Sequence, residues 1–422
     1  MSTTTEPALN IEKTRLPNGL TIVTEHIESI KSISAGIWVK SGGRHETEKL
    51  AGVTHFLEHM LFKGTEKRNS YDIALSMEAV GGYLNAFTST EYTCYYARCL
   101  SSKLDTAMDV LSDMLQNSLF PEEEMAKEKK VVLEEMKMYR DSPDDLIYEV
   151  FSGEVFYDHP IGRPILGYEE TVTEFTRDDL FGYMEDRYRP DNLLVAVAGN
   201  VEHQRVIDLV HEMLDLEAAE PTVTPDQSLK PYKKSEHSLT RPIEQAHMIV
   251  GRRALNYDHP DKYLLLLANT ILGGGMSSRL HQNIREKYGY CYSIGPFNQS
   301  YTDTGLFGVY VGTDSNYVPH VRELIKKEFE RMQGERVEEK ELEEAKAHLK
   351  GKLLLSQENT SNRMTRMAKS EIYFNRYITL DELVENIDAV KAEELHQFSK
   401  EFFNPEIFSE TLLLPEAKGD DS

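Results

Sequence analysis

The stretch Thr54-His55-Phe56-Leu57-Glu58-His59-Met60 sets two imidazoles and a carboxylate among Phe, Leu and Met side chains. With its neighbours, Leu50 to Phe62, it predicts a helix with apolar positions on one face, buried over much of its surface. His55 and His59 stand four apart, so they share a helical face. Glu58, three residues after His55 and next to His59, borders that face. Buried imidazoles and a buried carboxylate need partners. Two imidazoles at this spacing can reach one tetrahedral zinc ion with little backbone strain. The carboxylate beside them is then placed to take a proton from a water that the metal acidifies. A helix that happens to carry two histidines and a glutamate is the competing reading, and the apolar filling counts against it.

A zinc site needs a third ligand. Pro121 to Tyr139 predicts a long helix with Glu128 and Glu135 seven apart, two turns and nearly one face. Val131, Val132 and Met138 flank that stripe in the expected arrangement. Carboxylates on an apolar stripe are unusual unless they are paired. Glu134 is a rival ligand, but it points away from the Glu128 face. Without the histidine pair, two solvated glutamates on a charged helix would be the default.

Around this pair of helices the chain alternates strands and helices. Leu16-Pro17-Asn18-Gly19 is a turn before the strand Leu20 to Val23, and Ser32 to Val39 is a second apolar strand. Ser70 to Val80 predicts a helix. Tyr83 to Leu100 reads as two strands, Lys103 to Leu119 and Arg177 to Arg187 as helices, and Leu193 to Ala198 as a strand. The Pro-rich, polar segment 217–238 predicts a linker. The pattern then restarts with the strand Ala246 to Gly251, the helix His259 to Leu272 and strands within Tyr290 to Gly312. Leu180, Tyr188 and Pro190 recur at an offset of 215 as Leu395, Phe403 and Pro405, which predicts an internal duplication. The expected fold is α+β: two similar domains, 10–216 and 239–418, each a mainly antiparallel sheet covered by helices.

Hydrophobic residues make up 40% and charged residues 28% of the 422, as in an ordinary globular protein. A formal charge of −24 disfavours nucleic acid and anionic membranes and would attract basic partners. No apolar run is long enough to cross a membrane, and no leader is recognisable at the start, so a cytoplasmic protein is expected. Cys94, Cys99 and Cys291 include no CxxC pair and are expected as reduced thiols. His45-Glu46 and His211-Glu212 begin like HExxH, but neither has a histidine four positions on. Gly273 to Ser278 lacks the Gly-Lys-Ser/Thr of a phosphate loop and predicts a flexible turn.

His55-Phe56-Leu57-Glu58-His59 is an HxxEH sequence, the inverted zinc signature. On it the chain resembles the pitrilysin and mitochondrial processing peptidase family, over about Leu16 to Pro415. The family's third ligand is a glutamate roughly seventy-five residues further on; here 75 residues separate His59 from Glu135. The resemblance implies one zinc per chain on His55, His59 and Glu135, Glu58 as general base, and Glu128 as electrostatic support. Gly81 to Thr88 matches a family edge strand that pairs with substrate backbone, which implies Asn85, Ala86 and Phe87 as substrate contacts. Ser278-Arg279-Leu280 through Tyr292 matches a second motif and implies Arg285 and Tyr292 as donors to the scissile carbonyl. Aligning Phe62-Lys63-Gly64 with Leu272-Gly273-Gly274 sets Leu265 to Asn269 opposite HxxEH, so no second site is expected. The resemblance further implies an endopeptidase acting on unstructured, basic or presequence-like peptides inside the chamber of a homodimer or heterodimer. A non-catalytic or heteromeric partner subunit is the alternative.

Overall fold

A computed structural model describes residues 11–214, 216–217 and 228–416. Residues 218–227 of the expected linker, and the expected domain ends at 10 and 418, lie outside the described residues. The strands form two sheets. The first contains β1 (Ile11–Arg15), β2 (Thr21–His26), β3 (Ser32–Val39), β4 (Tyr83–Thr88), β5 (Thr93–Leu100) and β6 (Leu193–Gly199). Its order is β1-β2-β6-β3-β5-β4. The second contains β7 (Glu236–Arg241), β8 (Ala246–Ala254), β9 (Cys291–Ser300), β10 (Gly305–Thr313) and β11 (Ser409–Pro415). Its order is β7-β11-β8-β10-β9.

With β1 set aside, the two orders correspond strand for strand. Each has one parallel pair, β2 with β6 and β7 with β11, and every other pairing is antiparallel. The α+β architecture with two mainly antiparallel sheets is therefore as expected, and the two sheets share one strand order.

Central strands with both faces covered read as unbroken apolar runs, and β6 (LLVAVAG) is buried along its whole length. Val195 and Val197 join one core with Phe56, Met108 and Leu111. Leu194, Ala196 and Ala198 join another with Met364, Met367 and Ala368 of the helix Thr360–Phe374. In the second sheet, Val309 and Val311 face the helix Lys262–Gly273. Ile249 and Leu413 face Ile147 and Phe151 of the helix Pro143–Val155.

Each sheet is thus covered on one face by a helix from the other half of the sequence. The first compact unit runs to Met136, resumes at Arg163 and includes Ser356–Tyr377; the second takes Lys137–Gly162, the chain from Ser228 to Leu355, and the chain from Ile378 onward. The units are therefore not the contiguous stretches 10–216 and 239–418. Glycines mark both contacts, because a strand glycine lets another element approach closely. A Cβ on Gly36 would stand 3.1 Å from Met364 Sδ, and one on Gly251 2.6 Å from the Phe151 ring. Among the described residues, no helix is long and apolar enough to cross a membrane.

Candidate metal centre

The HxxEH helix spans Val53–Met60, shorter than the expected Leu50 to Phe62. Gly52 ends it on the N-terminal side with φ +92°, where a Cβ would meet the Leu166 carbonyl oxygen at 2.4 Å. Val53, Phe56, Leu57 and Met60 are fully buried in the first unit's core. That burial turns the opposite side, with His55, Glu58 and His59, toward the edge strand β4 and the helix Glu122–Asp141.

One donor atom each from His55, His59 and Glu135 falls within 4.8 Å of the others, the only such His/Cys/Asp/Glu group among the described residues. Glu135 Oε2 is 3.7 Å from His55 Nε2 and 3.6 Å from His59 Nε2. Tetrahedral zinc with bonds of ~2.0–2.2 Å sets its ligand atoms about 3.4 Å apart. The donor set and its spacing therefore fit a zinc ion.

Glu128 stands behind His59. Its Oε1 is 2.7 Å from His59 Nδ1 and its Oε2 is 2.6 Å from Lys63 Nζ. Burial would raise the Glu128 carboxyl, but the His59 and Lys63 contacts hold it below the usual range. As a carboxylate it accepts the Nδ1 proton and leaves His59 Nε2 free to face Glu135. Burial would lower His59, but the Glu128 hydrogen bond and the charges of Glu128, Glu135 and Glu58 lift it above its ordinary value. Burial and the neighbouring His59 push His55 down to about 3, which keeps its imidazole in the neutral, ligating form. Burial and the Glu128 charge push Glu135 up.

Glu58 is also raised by burial, partly offset by Thr88, whose Oγ1 donates to Glu58 Oε2 at 2.6 Å. Thr88 ends β4, which among the described residues has no strand on its outer side. The Asn85 side chain is exposed on that strand, accepting Ala86 N–H at 2.9 Å and donating to Tyr83 Oη at 2.6 Å. Ala86 is buried, and Phe87 packs on Trp38 with ring centroids 5.6 Å apart.

The structure corrects the expected stripe on the glutamate helix. Its buried residues are Met125, Glu128, Val132 and Met136, whereas Val131 and Met138 are exposed. Glu134 is exposed as well, and the reading of Glu128 as a solvated surface charge does not hold. In the second unit, Arg285 lies on a π-helical turn, His281–Glu286. Its guanidinium is 2.6 Å from His281 Nε2 and sits over the Tyr292 ring at 5.4 Å. Tyr292 is 80% exposed on the edge strand β9 and is not packed away. Gly273 ends a helix and residues 274–278 form a turn, as expected, with Gly274 O accepting from His348 at 2.9 Å. The three thiols are free and buried.

Sequence reading missed Lys63 and Thr88. Lys63 lies three residues past the end of the HxxEH helix, where helical spacing no longer marks it. Thr88 becomes meaningful only once β4 lies beside the HxxEH helix.

Two family models match the chain: "Insulinase (Peptidase family M16)" over residues 21–169 and "Peptidase M16 inactive domain" over 174–349. An uncharacterized zinc protease of Bacillus subtilis, YmxG, is 40% identical over 395 residues, 93% of this chain and 96% of that protein. An uncharacterized zinc protease of Streptomyces coelicolor is 38% identical over 399 residues, 93% of this chain and 87% of that protein. A protease from Helicobacter pylori has the same fold, with a TM-score of 0.90 at 22% identity over 96% of this chain and all (100%) of that one.

Proposed function

This chain belongs to the M16 (insulinase) peptidase family, and on that premise we propose that it is a zinc-dependent endopeptidase with one metal per chain. The observation that carries the reading is the convergence of His55 Nε2, His59 Nε2 and Glu135 Oε2 on one point beside Glu58. His55, His59 and Glu135 would hold the zinc, which when bound polarises a peptide carbonyl and acidifies water.

Glu58 takes the proton of the attacking water and later delivers it to the leaving amine. Burial keeps this carboxyl raised, toward the range where a base also serves as an acid. Thr88 fixes which Glu58 oxygen is free by occupying Oε2. Glu128 orients His59.

Substrate would add to the open side of β4 as an extended strand, so folded proteins are poor substrates. The Asn85 carboxamide would exchange its contact with Ala86 N–H for substrate backbone, while Ala86 and Phe87 offer main-chain groups. Arg285 and Tyr292 suit the developing oxyanion, and we assign them that role in a dimer that encloses a chamber, a homodimer or a heterodimer. The net charge of −24 favours basic peptides, and raised salt should weaken their binding.

The test is cleavage of a quenched, basic, unstructured peptide of about twenty residues, a presequence-like length, with and without a zinc chelator. Chelator-sensitive cleavage that zinc restores is expected. No cleavage by folded, zinc-loaded protein would replace this reading with a non-catalytic or heteromeric partner subunit.

A further inference from the structure

The HxxEH helix is eight residues long, and its N-cap, Gly52, has no side chain to cap it. The cap comes from Glu46, six residues upstream. Glu46 Oε2 accepts Gly52 N–H at 2.7 Å, and Oε1 accepts Thr54 N–H at 2.8 Å and Thr54 Oγ1–H at 2.5 Å. Thr54 Oγ1 also lies 3.3 Å from Tyr183 Oη, which is 3.0 Å from Ser41 Oγ. The Glu46 carbonyl is held by Arg163 Nη1 at 3.0 Å, and the Ala51 carbonyl by Thr171 Oγ1 at 2.7 Å. All of these residues belong to the first unit.

This is a costly way to cap a helix. Glu46 is 2% exposed, and Arg163, the cation whose charge acts on it, bonds its backbone carbonyl and not its carboxylate. Burial pushes it up to about 7 against the three hydrogen bonds that hold it down. A serine N-cap would satisfy the same backbone without a buried charge, but a Cβ at Gly52 would meet the Leu166 carbonyl oxygen at 2.4 Å, so the cap has to come from elsewhere. The arrangement also reaches the site directly, because Thr54 precedes His55 and the whole helix extends only five residues past His55. A shift of its first turn moves His55, Glu58 and His59 together.

We infer that Glu46 is a positioning residue: acting through Thr54, it fixes the first turn of the HxxEH helix and thereby sets the affinity of the three-ligand site for zinc. The inference rests on the metal-centre reading above. Partners outside the ligand set typically alter metal affinity ~10–100-fold.

The experiment is zinc affinity of the full chain by competition with a chromophoric chelator, alongside the melting temperature of the metal-free protein. Wild type comes first: failure to bind one zinc overturns the metal-centre reading, and this inference with it. Given wild-type binding, Thr54→Val and Glu46→Gln should each weaken zinc by ~10-fold or more. Thr54→Ser, which keeps the hydroxyl, should retain wild-type affinity. Combining Glu46→Gln with Thr54→Val should cost less than the two losses together, because both act in one network. Val206→Ala, which opens a fully buried core position on a helix without site residues, supplies the stability control. It should lower the melting temperature and leave zinc affinity unchanged. Wild-type affinity in Thr54→Val, or equal weakening in Val206→Ala, would overturn the inference. Should Glu46→Gln fail to fold, the Thr54→Val and Thr54→Ser pair decides alone.

Discussion

The helices Val53–Met60 and Lys262–Gly273 precede corresponding edge strands, β4 and β9, in sheets of the same order, and both bury an apolar face, but the first buries polar groups as well. The second is longer and apolar, with Leu265, Leu267, Ala268, Ile271 and Leu272 buried. In the sequence alignment Leu265, Ala268 and Asn269 stand opposite His55, Glu58 and His59. The apolar helix needs only a core to pack against. The polar helix needs a partner for each group it takes from water: Glu135 and Glu128 from one helix, Thr88 from β4, and Glu46 at its start. The two helices thus differ less in the strand order around them than in the set of polar partners that surrounds the HxxEH helix.

The most severe way to break the contrast is at Glu58, whose counterpart is an alanine. Glu58→Gln should retain zinc and lower turnover by ~10²–10⁴-fold, the usual contribution of a general base; peptide cleavage with metal analysis measures both. Substantial activity in zinc-loaded Glu58→Gln would remove the base assignment. Next in size, His55→Leu with His59→Asn makes the first helix resemble its counterpart. That variant should lose stoichiometric zinc while its circular dichroism stays that of the wild type. Retained zinc would mean that His55 and His59 are not the ligands.

Smaller effects concern protons. Thr88 pulls the Glu58 pKa down against burial, so Thr88→Val should move the acid limb of the activity profile to higher pH. A limb that stays in place would show that Thr88 does not tune the base. In the metal-free protein, folded His55 titrates near 3 against ~6.5 unfolded. The folded state therefore binds fewer protons across that window, and stability falls as pH drops through it. His55→Leu should flatten that part of the urea-unfolding profile. The mildest change is Asn85→Ala, which should alter KM for peptides more than kcat.

The chemistry was legible where it is local. A spacing of four on a helix identifies His55 with His59, and a spacing of seven identifies Glu128 with Glu135. The orientation of the glutamate helix was read less well. Val131 and Met138 are apolar but exposed, so residue type alone misplaced the stripe by part of a turn. Glu46 was visible only as a failed HExxH, because a carboxylate reaching six residues forward across a loop has no periodic signature. The helices Pro143–Val155 and Thr360–Phe374 were hardest to foresee. Met364, Met367 and Ala368 complete a face whose strands lie in the other half of the sequence, so no local pattern announces their partner.

That reciprocal exchange of helices is the arrangement of a domain-swapped dimer written into a single polypeptide. Each half lends the other the equivalent element, one against β8 and β11 and one against β3 and β6. Neither half is then a self-sufficient folding unit. Produced alone, the first half would leave Leu194, Ala196 and Ala198 without the helix that covers them, an apolar face prone to association. Cut between 217 and 228, the chain would instead yield two fragments that each hold the missing piece of the other.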